Sequence, residues 1–302
     1  MAKNTVDMRI PSNRVSDIRR YCHAELDGLY GAPEVESMSR MLFEAFLGWD
    51  TITLLLNNGS TINQSDLLRF HWAVEDLKRF RPIQHVIGYT EFCGCRIEVS
   101  PDVLIPRPET AQLVEFALSR FASCCDALSS PKVLDLCTGS GCIAIALAKA
   151  MPKADVCGCD ISDKALDIAR RNAVQNHVSV HFDNVDVSDS KGLLSYYYGK
   201  RFDLILSNPP YVMEKERAEM HRNVLDYDPA LALFVSDDNP LLFYRVIGLF
   251  AANNLSPKGL LMLEVNEHLA ADTVALMRDF GFGGEVIVDF RGKERFVICH
   301  RL

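Results

Sequence analysis

The feature that most constrains the fold is a regular alternation of short apolar runs and helical segments after Pro131. Strands that alternate with helices in this way indicate a largely parallel α/β sheet with helices on both faces. The last two apolar runs are separated only by a short polar loop, which predicts a closing antiparallel pair. The predicted strands are 133–136, 155–159, 178–182, 202–207, 259–265, 284–289 and 295–300, and the predicted helices are 143–150, 162–175, 241–253 and 270–280.

The first eighty or so residues show helical periodicity instead. Val15, Ile18 and Tyr21 recur at helical spacing, and a second helix is expected between Pro33 and Gly48. This part of the chain contains no catalytic motif, so a helical bundle that packs or recognises a partner is expected. The predicted domains are a helical substrate-recognition domain at 1–82, a β-hairpin linker at 83–108 and the α/β domain at 109–302.

Composition narrows the classes of function. The formal net charge of −8 argues against a long electrostatic footprint on nucleic acid and against binding to an anionic membrane surface. The ten cysteines show neither the two-residue spacing of a zinc or redox motif nor a completing histidine pair, so no metal site is predicted. Free thiols, no signal-peptide pattern and no 18-residue apolar run predict a cytoplasmic protein.

A glycine-containing loop follows the first predicted strand. Glycines allow close backbone approach to a ligand, and the start of the following helix supplies free N–H donors. The spacing Gly139-x-Gly141-x-x-Ala144 also satisfies the dinucleotide fingerprint, which keeps a nicotinamide enzyme open. Asp135 before the loop favours the pattern acid-x-Gly-x-Gly-x-Gly, in which Cys137 replaces the first glycine. The candidate cofactor-binding loop comprises Cys137, Thr138, Gly139, Ser140 and Gly141.

Each of the next three predicted strands also ends in a candidate binding feature. Asp160 ends the second strand, where its carboxylate could accept both hydroxyls of a ribose. Asp186 and Val187 follow the third strand and could contact an adenine amino group and ring. The fourth strand ends in Asn208-Pro209-Pro210-Tyr211. Because ligands bind at the carboxyl ends of strands in an open α/β sheet, these features are expected to meet.

The tetrapeptide Asn208-Pro209-Pro210-Tyr211 has chemistry suited to a planar NH2 group. The prolines fix φ, remove backbone donors and hold the preceding residues extended, which leaves carbonyl oxygens without their usual partners. Asn208 adds an amide oxygen and Tyr211 adds a flat ring with a hydroxyl. Taken alone, the tetrapeptide is equally consistent with a turn that ends a strand.

Together the loop and the tetrapeptide resemble the class I S-adenosylmethionine-dependent methyltransferases, with a Rossmann-like sheet, that act on exocyclic or side-chain nitrogen. More narrowly, the chain resembles the release factor glutamine N5-methyltransferases. It departs from that family's pattern at Ala111 and Asp228, where glutamate is usual. The supporting stretches are 88–92, 103–110, 137–141, 208–211, 227–233 and 289–296, and the amino-terminal part matches in architecture more than in residues.

This resemblance implies methyl transfer from S-adenosylmethionine to N5 of the GGQ-motif glutamine in class I peptide chain release factors. It assigns the cofactor's methionine end to the loop 137–141, the ribose to Asp160, and the adenine to Asp186 and Val187, and it counts Asn208 among the cofactor-binding residues as well. The glutamine amide would lie against Asn208 and Pro209, with Pro210 in the same motif and Tyr211 packed on the amide. Individual roles for Arg107, Glu109 and Thr110 stay open.

Other functions remain open at this stage. A sister family that methylates a glutamine of a large-subunit ribosomal protein shares the wording of the glycine loop. DNA adenine N6-methyltransferases grip an exocyclic NH2 group with a similar tetrapeptide after flipping the base. Arg19-Arg20 and 78–81 are the best basic candidates for DNA contacts, and they are sparse against the acidic charge. A non-catalytic protein-binding module and a nicotinamide dehydrogenase are the remaining alternatives.

Overall fold

The computed structural model describes residue 10, residues 12–125 and residues 129–302, without the side chains of 122–125. The chain divides into two compact units, with the division after Gly88. The hairpin that was predicted as part of a linker therefore belongs to the second unit. The functional assignment of the first unit to substrate recognition stays a prediction.

The first unit is helical, as predicted. Gly31 and Gly48 have φ values of 83° and 69°, a conformation open to glycine, and both lie at helix ends. Asp50 and Asn63 cap the helices that follow them by accepting backbone N–H bonds. The helices surround one apolar core that includes Phe70. They are α1 (Val15–Tyr30), α2 (Ala32–Leu47), α3 (Thr51–Leu56), α4 (Gln64–Leu77) and α5 (Ile83–Ile87).

The second unit contains the predicted α/β sheet. Its seven-stranded sheet has the order β10-β11-β9-β6-β3-β4-β5, and β11 is antiparallel to both of its neighbours. All other pairs in this sheet are parallel. The strands of the unit are β1 (Tyr89–Phe92), β2 (Cys95–Glu98), β3 (Lys132–Leu136), β4 (Asp155–Asp160), β5 (His181–Asn184), β6 (Phe202–Ser207), β7 (Val212–Met213), β8 (Phe234–Val235), β9 (Leu255–Glu264), β10 (Phe282–Val288) and β11 (Glu294–Arg301).

Helices cover both faces of this sheet because its strands are apolar on both sides. Successive residues of a strand point to opposite faces, so Leu204 and Leu206 join one apolar cluster while Ile205 joins the other. The helices of the unit are α6 (Pro108–Cys125), α7 (Cys142–Ala150), α8 (Asp163–Gln175), α9 (Ser190–Tyr196), α10 (Arg222–Leu225), α11 (Ala230–Leu233), α12 (Leu242–Asn254) and α13 (Ala270–Asp279), with a 3-10 helix at Glu214–Glu219.

Two strands of the sheet begin three or more residues away from their predicted start. The third sheet strand was predicted at 178–182, but β5 begins at His181. His177 has a left-handed φ of 57°, and the N–H of Val178 bonds to Ala173 at the end of α8. Val178 therefore belongs to the turn that ends α8. The strand prediction was wrong at this position because Val178 and Val180 are β-branched, as strand residues often are. The fifth strand was predicted from residue 259, whereas β9 already begins at Leu255.

Two asparagines of α8 attach the hairpin β1–β2 to the sheet unit. Asn172 Oδ1 accepts the N–H of Glu98 at 2.7 Å, and its Nδ2 donates to the Glu98 carbonyl at 3.1 Å and to the Ser140 carbonyl at 2.9 Å. Asn176 makes the equivalent pair of bonds with the backbone of Arg96. The single side chain of Asn172 thus joins the hairpin to the glycine loop, and it is fully buried.

We predict that Asn172→Ala lowers the free energy of unfolding more than Asn176→Ala does. Each buried backbone group that loses its partner costs about 1–3 kcal/mol, whereas water can replace the amide of the half-buried Asn176. Urea denaturation of the two variants and the wild-type protein measures the difference. Equal losses in the two variants would contradict this role for Asn172.

Candidate active site

The carboxyl ends of β3, β4, β5 and β6 open into one cavity of about 270 Å³. This is the position at which an open α/β sheet binds its ligands. All residues of the cavity wall lie in the second unit. Of the predicted site residues, the wall contains Cys137, Thr138, Gly139, Ser140, Asp160, Asp186, Val187, Asn208 and Pro210.

The loop between β3 and α7 approaches the cavity closely because three of its residues adopt left-handed backbone conformations. The φ values are 61° at Cys137, 53° at Gly139 and 80° at Gly141. A Cβ on Gly141 would lie 3.0 Å from the Cβ of Ala169, so this glycine, although outside the cavity wall, is required for packing. Cys137 holds its conformation at a cost of order 1–3 kcal/mol, at the position where the related pattern has glycine.

Asp135 is the buried centre of this loop. Its Oδ2 accepts the Thr138 hydroxyl at 2.5 Å and the N–H of Ala144 at 3.3 Å. Its Oδ1 has no hydrogen-bond partner among the described residues. Burial raises the pKa of Asp135 to about 7, and the charge of Asp160 acts in the same direction. The Asp135 carboxyl therefore stabilises the turn of the loop through these hydrogen bonds. Asp135 itself does not line the cavity.

Asp160 faces the cavity at the end of β4. Its Oδ2 accepts the N–H of Gly139 at 2.9 Å, and its Oδ1 accepts the N–H of Ser162 at 3.0 Å. Burial raises the pKa of Asp160, while these backbone bonds oppose the shift. Each oxygen keeps further acceptor capacity, so the carboxylate can join the two loops and still receive hydroxyl donors from a ligand.

Asp186 and Val187 follow β5 and form the next part of the wall. Asp186 Oδ1 accepts the N–H of Ser188 at 2.7 Å and its hydroxyl at 2.6 Å, which fixes the acid in a tight turn. Val187 is buried and presents an apolar surface to the cavity. An acceptor next to an apolar side chain is the combination expected for a flat heteroaromatic ring with an amino group.

Asn208 begins the tetrapeptide directly after β6. Its Nδ2 donates to Thr110 Oγ1 at 3.0 Å, and Thr110 in turn donates to Glu264 Oε2 at 2.7 Å. Tyr211 donates to Glu264 Oε1 at 3.0 Å. Pro210 joins the cavity wall, whereas Pro209 and Tyr211 are outside the wall formed by the described residues. The tetrapeptide is thus held from behind through Glu264.

Sequence reasoning missed part of this site. Glu264 ends β9, and the sequence predicts it only as a strand residue. Arg107 donates to Asp228 at 2.5 Å, which joins two stretches that the sequence shows far apart. Burial raises the pKa of Asp228, and the guanidinium of Arg107 opposes that shift. Apolar side chains complete the cavity wall. For some of them, the only sequence signal was their position in the stretches 103–110 and 227–233, which resemble the family. They are Val103, Leu104, Ile143, Ile161, Leu231 and Phe243.

The described residues contain no group of three or more histidine, cysteine or acidic side chains that could hold a metal ion. Across the same residues, no helix has the length and apolar character needed to cross a membrane.

We predict that Asp135→Asn changes the pH dependence of stability. The folded-state pKa of about 7 lies above the ordinary value of about 3.9, so the folded protein binds this proton more tightly than the unfolded chain does. The resulting stabilisation is complete below about pH 4 and is lost as the pH rises to 7, by roughly 1.4 kcal/mol per unit of pKa shift. Urea denaturation from pH 4 to pH 8 measures it.

Relative to Asp135→Asn, the wild-type protein should lose free energy of unfolding as the pH rises through this window. Glu267→Gln provides a control of opposite sign, because the bond from Lys293 lowers the pKa of Glu267. Relative to that variant, the wild-type protein should gain stability as the pH rises, and at more acidic pH. Parallel curves for wild type and Asp135→Asn would contradict the raised pKa.

Two family models match the chain. A methyltransferase small domain matches residues 113–227, and a PrmC N-terminal domain matches residues 17–88. The first match lies wholly within the second compact unit, and the second match lies wholly within the first. The second unit therefore contains a methyltransferase domain.

Solved structures support the fold. The hMettl16 catalytic domain in complex with the MAT2A 3'UTR hairpin 6 has a TM-score of 0.52 and 14% identity, over 80% of this chain and 85% of that one. This likeness concerns the fold alone, and it confirms the predicted Rossmann-like α/β sheet.

Relatives of known family match nearly the whole chain. The release factor glutamine methyltransferase of Flavobacterium psychrophilum is 40% identical over 273 residues, which cover 90% of this chain and 94% of the relative. That of Bacteroides thetaiotaomicron is 37% identical over 285 residues, which cover 94% of this chain and 99% of the relative. At this identity and coverage, the chain belongs to the release factor glutamine methyltransferase family.

Proposed function

We propose that this protein transfers a methyl group from S-adenosylmethionine to the side-chain amide nitrogen, N5, of a glutamine in a class I peptide chain release factor. The observation that carries the proposal is the position of Asn208. Asn208 lies in the wall of the cavity formed by the glycine loop and the acidic strand ends. The chain also shares 40% identity with a release factor glutamine methyltransferase.

The cavity wall suits S-adenosylmethionine. The charged residues of the wall are three aspartates and one arginine, a balance that favours a ligand with a cationic sulfur. A Cβ on Gly139 would have no heavy atom within 4 Å, so this loop leaves room for a ligand. We assign the methionine end to the loop 137–141, the ribose hydroxyls to Asp160, and the adenine to Asp186 and Val187. When bound, S-adenosylmethionine supplies an electrophilic methyl group.

The tetrapeptide would act on the amide by orientation. An amide nitrogen is a poor nucleophile because its lone pair is delocalised into the carbonyl. Among the described residues, no donor is bonded to Asn208 Oδ1, so this oxygen can accept one amide hydrogen. The Pro209 carbonyl is the proposed acceptor for the other. Two acceptors raise the electron density on nitrogen and fix its direction of attack, for which about 7–11 kcal/mol is available in well-oriented reactions.

No histidine or cysteine stands in the tetrapeptide, and the reaction does not require one. The nitrogen can lose its proton after the methyl group has been transferred. For Tyr211, the bond to Glu264 favours a role in holding the tetrapeptide. Packing of its ring on the substrate amide stays a prediction.

Recognition of the release factor is proposed for the first unit, whose residues 17–88 match the PrmC N-terminal domain. Exposed apolar side chains on α3, Ile52, Leu55 and Leu56, provide surface for a protein contact.

A cytoplasmic location is part of the same proposal. It is supported by eight free cysteines among the described residues.

The substrate test is methyl transfer from labelled S-adenosylmethionine to a class I release factor. We expect label on the wild-type factor and none on a factor whose GGQ glutamine is replaced. Duplex DNA and the large-subunit ribosomal protein substrate of the sister family serve as competing acceptors. Label on DNA or on the ribosomal protein in place of the release factor would overturn the proposed substrate.

We predict that Asn208→Ala abolishes methyl transfer while S-adenosylmethionine binding largely persists. The variant removes the amide acceptor and leaves the acids that bind the ribose and adenine in place. Single-turnover transfer and equilibrium dialysis of the cofactor measure the two properties separately.

Asn253→Ala is the matched control, because Asn253 is exposed on α12 and its side chain, among the described residues, bonds only to the Leu249 carbonyl of the same helix. It should retain both transfer and cofactor binding. Undiminished turnover in Asn208→Ala would refute the assignment of this residue.

A further inference from the structure

Glu264 is a buried acid that is linked to Tyr211 directly and to Asn208 through Thr110, and it does not line the cavity. It is 1% exposed, and its two carboxylate oxygens are divided between Thr110 and Tyr211. The Tyr244 hydroxyl donates to its backbone oxygen at 3.3 Å. A buried carboxylate is costly unless it is paired or hydrogen-bonded, and the substrate contacts proposed above do not include Glu264.

The chemistry of these groups fixes the direction of each hydrogen bond. An ionised carboxylate only accepts, and a threonine hydroxyl has one proton. When Thr110 donates that proton to Glu264, its oxygen can only accept from Asn208. The bond of 3.0 Å to Thr110 must therefore come from the Nδ2 group of Asn208.

This direction of bonding decides which end of the Asn208 amide faces the substrate. With Nδ2 held by Thr110, Oδ1 is left to accept a hydrogen from the substrate. A flipped amide would set Oδ1 against the Thr110 oxygen, whose proton is already committed, and two acceptors repel. The flipped form would also present donors to the substrate, which would favour an oxygen over an NH2 group.

We propose that Glu264 and Thr110 are positioning residues that fix Asn208 with its oxygen towards the substrate, and so select an amide NH2 over a carboxylate. This inference rests on the proposed function and extends it to the motif Arg107-Pro108-Glu109-Thr110. The chain of hydrogen bonds from Asn208 through Thr110 to Glu264 is called the relay. Thr110 lies in the first turn of α6, and Glu264 ends β9. Tyr211, bonded to the same carboxylate, holds the far end of the tetrapeptide.

The charges around Glu264 make the relay sensitive to pH. Burial raises the pKa of Glu264 to about 7, with the charge of Glu109 acting in the same direction. The bonds from Thr110 and Tyr211 and the charge of Arg295 oppose the shift. A protonated Glu264 no longer requires a donor from Thr110, which frees the hydroxyl and lets the Asn208 amide turn. Methyl transfer should therefore decline as the pH falls through about 7.

The first test removes the hydroxyl of Thr110 without changing its shape. Thr110→Val should lower kcat by on the order of 10- to 100-fold, as loss of an orienting partner does, with the dissociation constant for S-adenosylmethionine nearly unchanged. Thr110→Ser restores the hydroxyl and should recover most of the lost turnover. Thr273→Val controls for the loss of a buried threonine hydroxyl and should leave kcat unchanged, since the Thr273 hydroxyl donates to the carbonyl of Leu269, the cap residue of α13.

The second test replaces the carboxylate of Glu264, which only accepts hydrogen bonds, by a group that must also donate one. In Glu264→Gln, an amide replaces the carboxylate, so it must donate either to Thr110 or to Tyr211. We expect a lower kcat at pH 8 and loss of the decline in kcat near pH 7. The variant removes a buried charge, so thermal unfolding should show a fold at least as stable as the wild type at pH 8. It therefore keeps the inference testable even if Thr110→Val folds poorly.

A third measurement addresses selectivity directly. A release factor with glutamate in place of the target glutamine should compete with the wild-type factor better in Thr110→Val and Glu264→Gln than in the wild-type enzyme. Undiminished kcat in both variants, together with an unchanged pH profile, would overturn the inference while the proposed function stands. Absence of transfer by the wild-type enzyme itself would overturn both.

Discussion

The site depends on the parallel pairing of β3 with both of its neighbours. Leu136 lies opposite Ser207 of β6 and opposite Cys159 of β4. The Ser207 hydroxyl also donates to the Leu136 carbonyl at 2.7 Å, which adds a side-chain bond at the last rung. The next residue of each chain segment therefore lies at the same level: Cys137 and Asn208 directly follow β3 and β6, and Asp160 is the last residue of β4. A slip of one residue would exchange the two faces of a strand and separate all three.

Two buried acids support the site from behind, and both hold a raised pKa. Asp135 organises the glycine loop, and Glu264 organises the tetrapeptide. Desolvation is the main cause of the shift in each case. An apolar residue of similar volume would avoid this cost, but it could not accept two hydrogen bonds. The chain thus sacrifices stability near neutral pH for fixed donor directions at two places beside the cavity.

The sheet and most of the cavity wall could be predicted because they follow from local pattern. Apolar runs identified the strands, and the small or acidic residues at their ends identified the edge where a ligand binds. The partners of those residues could not be predicted, because they come from distant parts of the chain. Thr110 meets Asn208 across 98 residues of sequence, and Arg107 meets Asp228 across 121. Asn172 likewise joins the hairpin to the sheet through bonds that leave no periodic signal.

These contacts divide substrate selection into two physical problems. The orientation of Asn208 selects an NH2 group, and both a glutamine side chain and an adenine base present one. Choice between these two acceptors must therefore lie outside the hydrogen-bond relay. A duplex carries a dense row of negative phosphates, and a chain with a net charge of −8 repels it before any base is presented. The relay therefore selects the chemical group that is methylated. The net charge and the surface contacts of the protein select the macromolecule that carries this group.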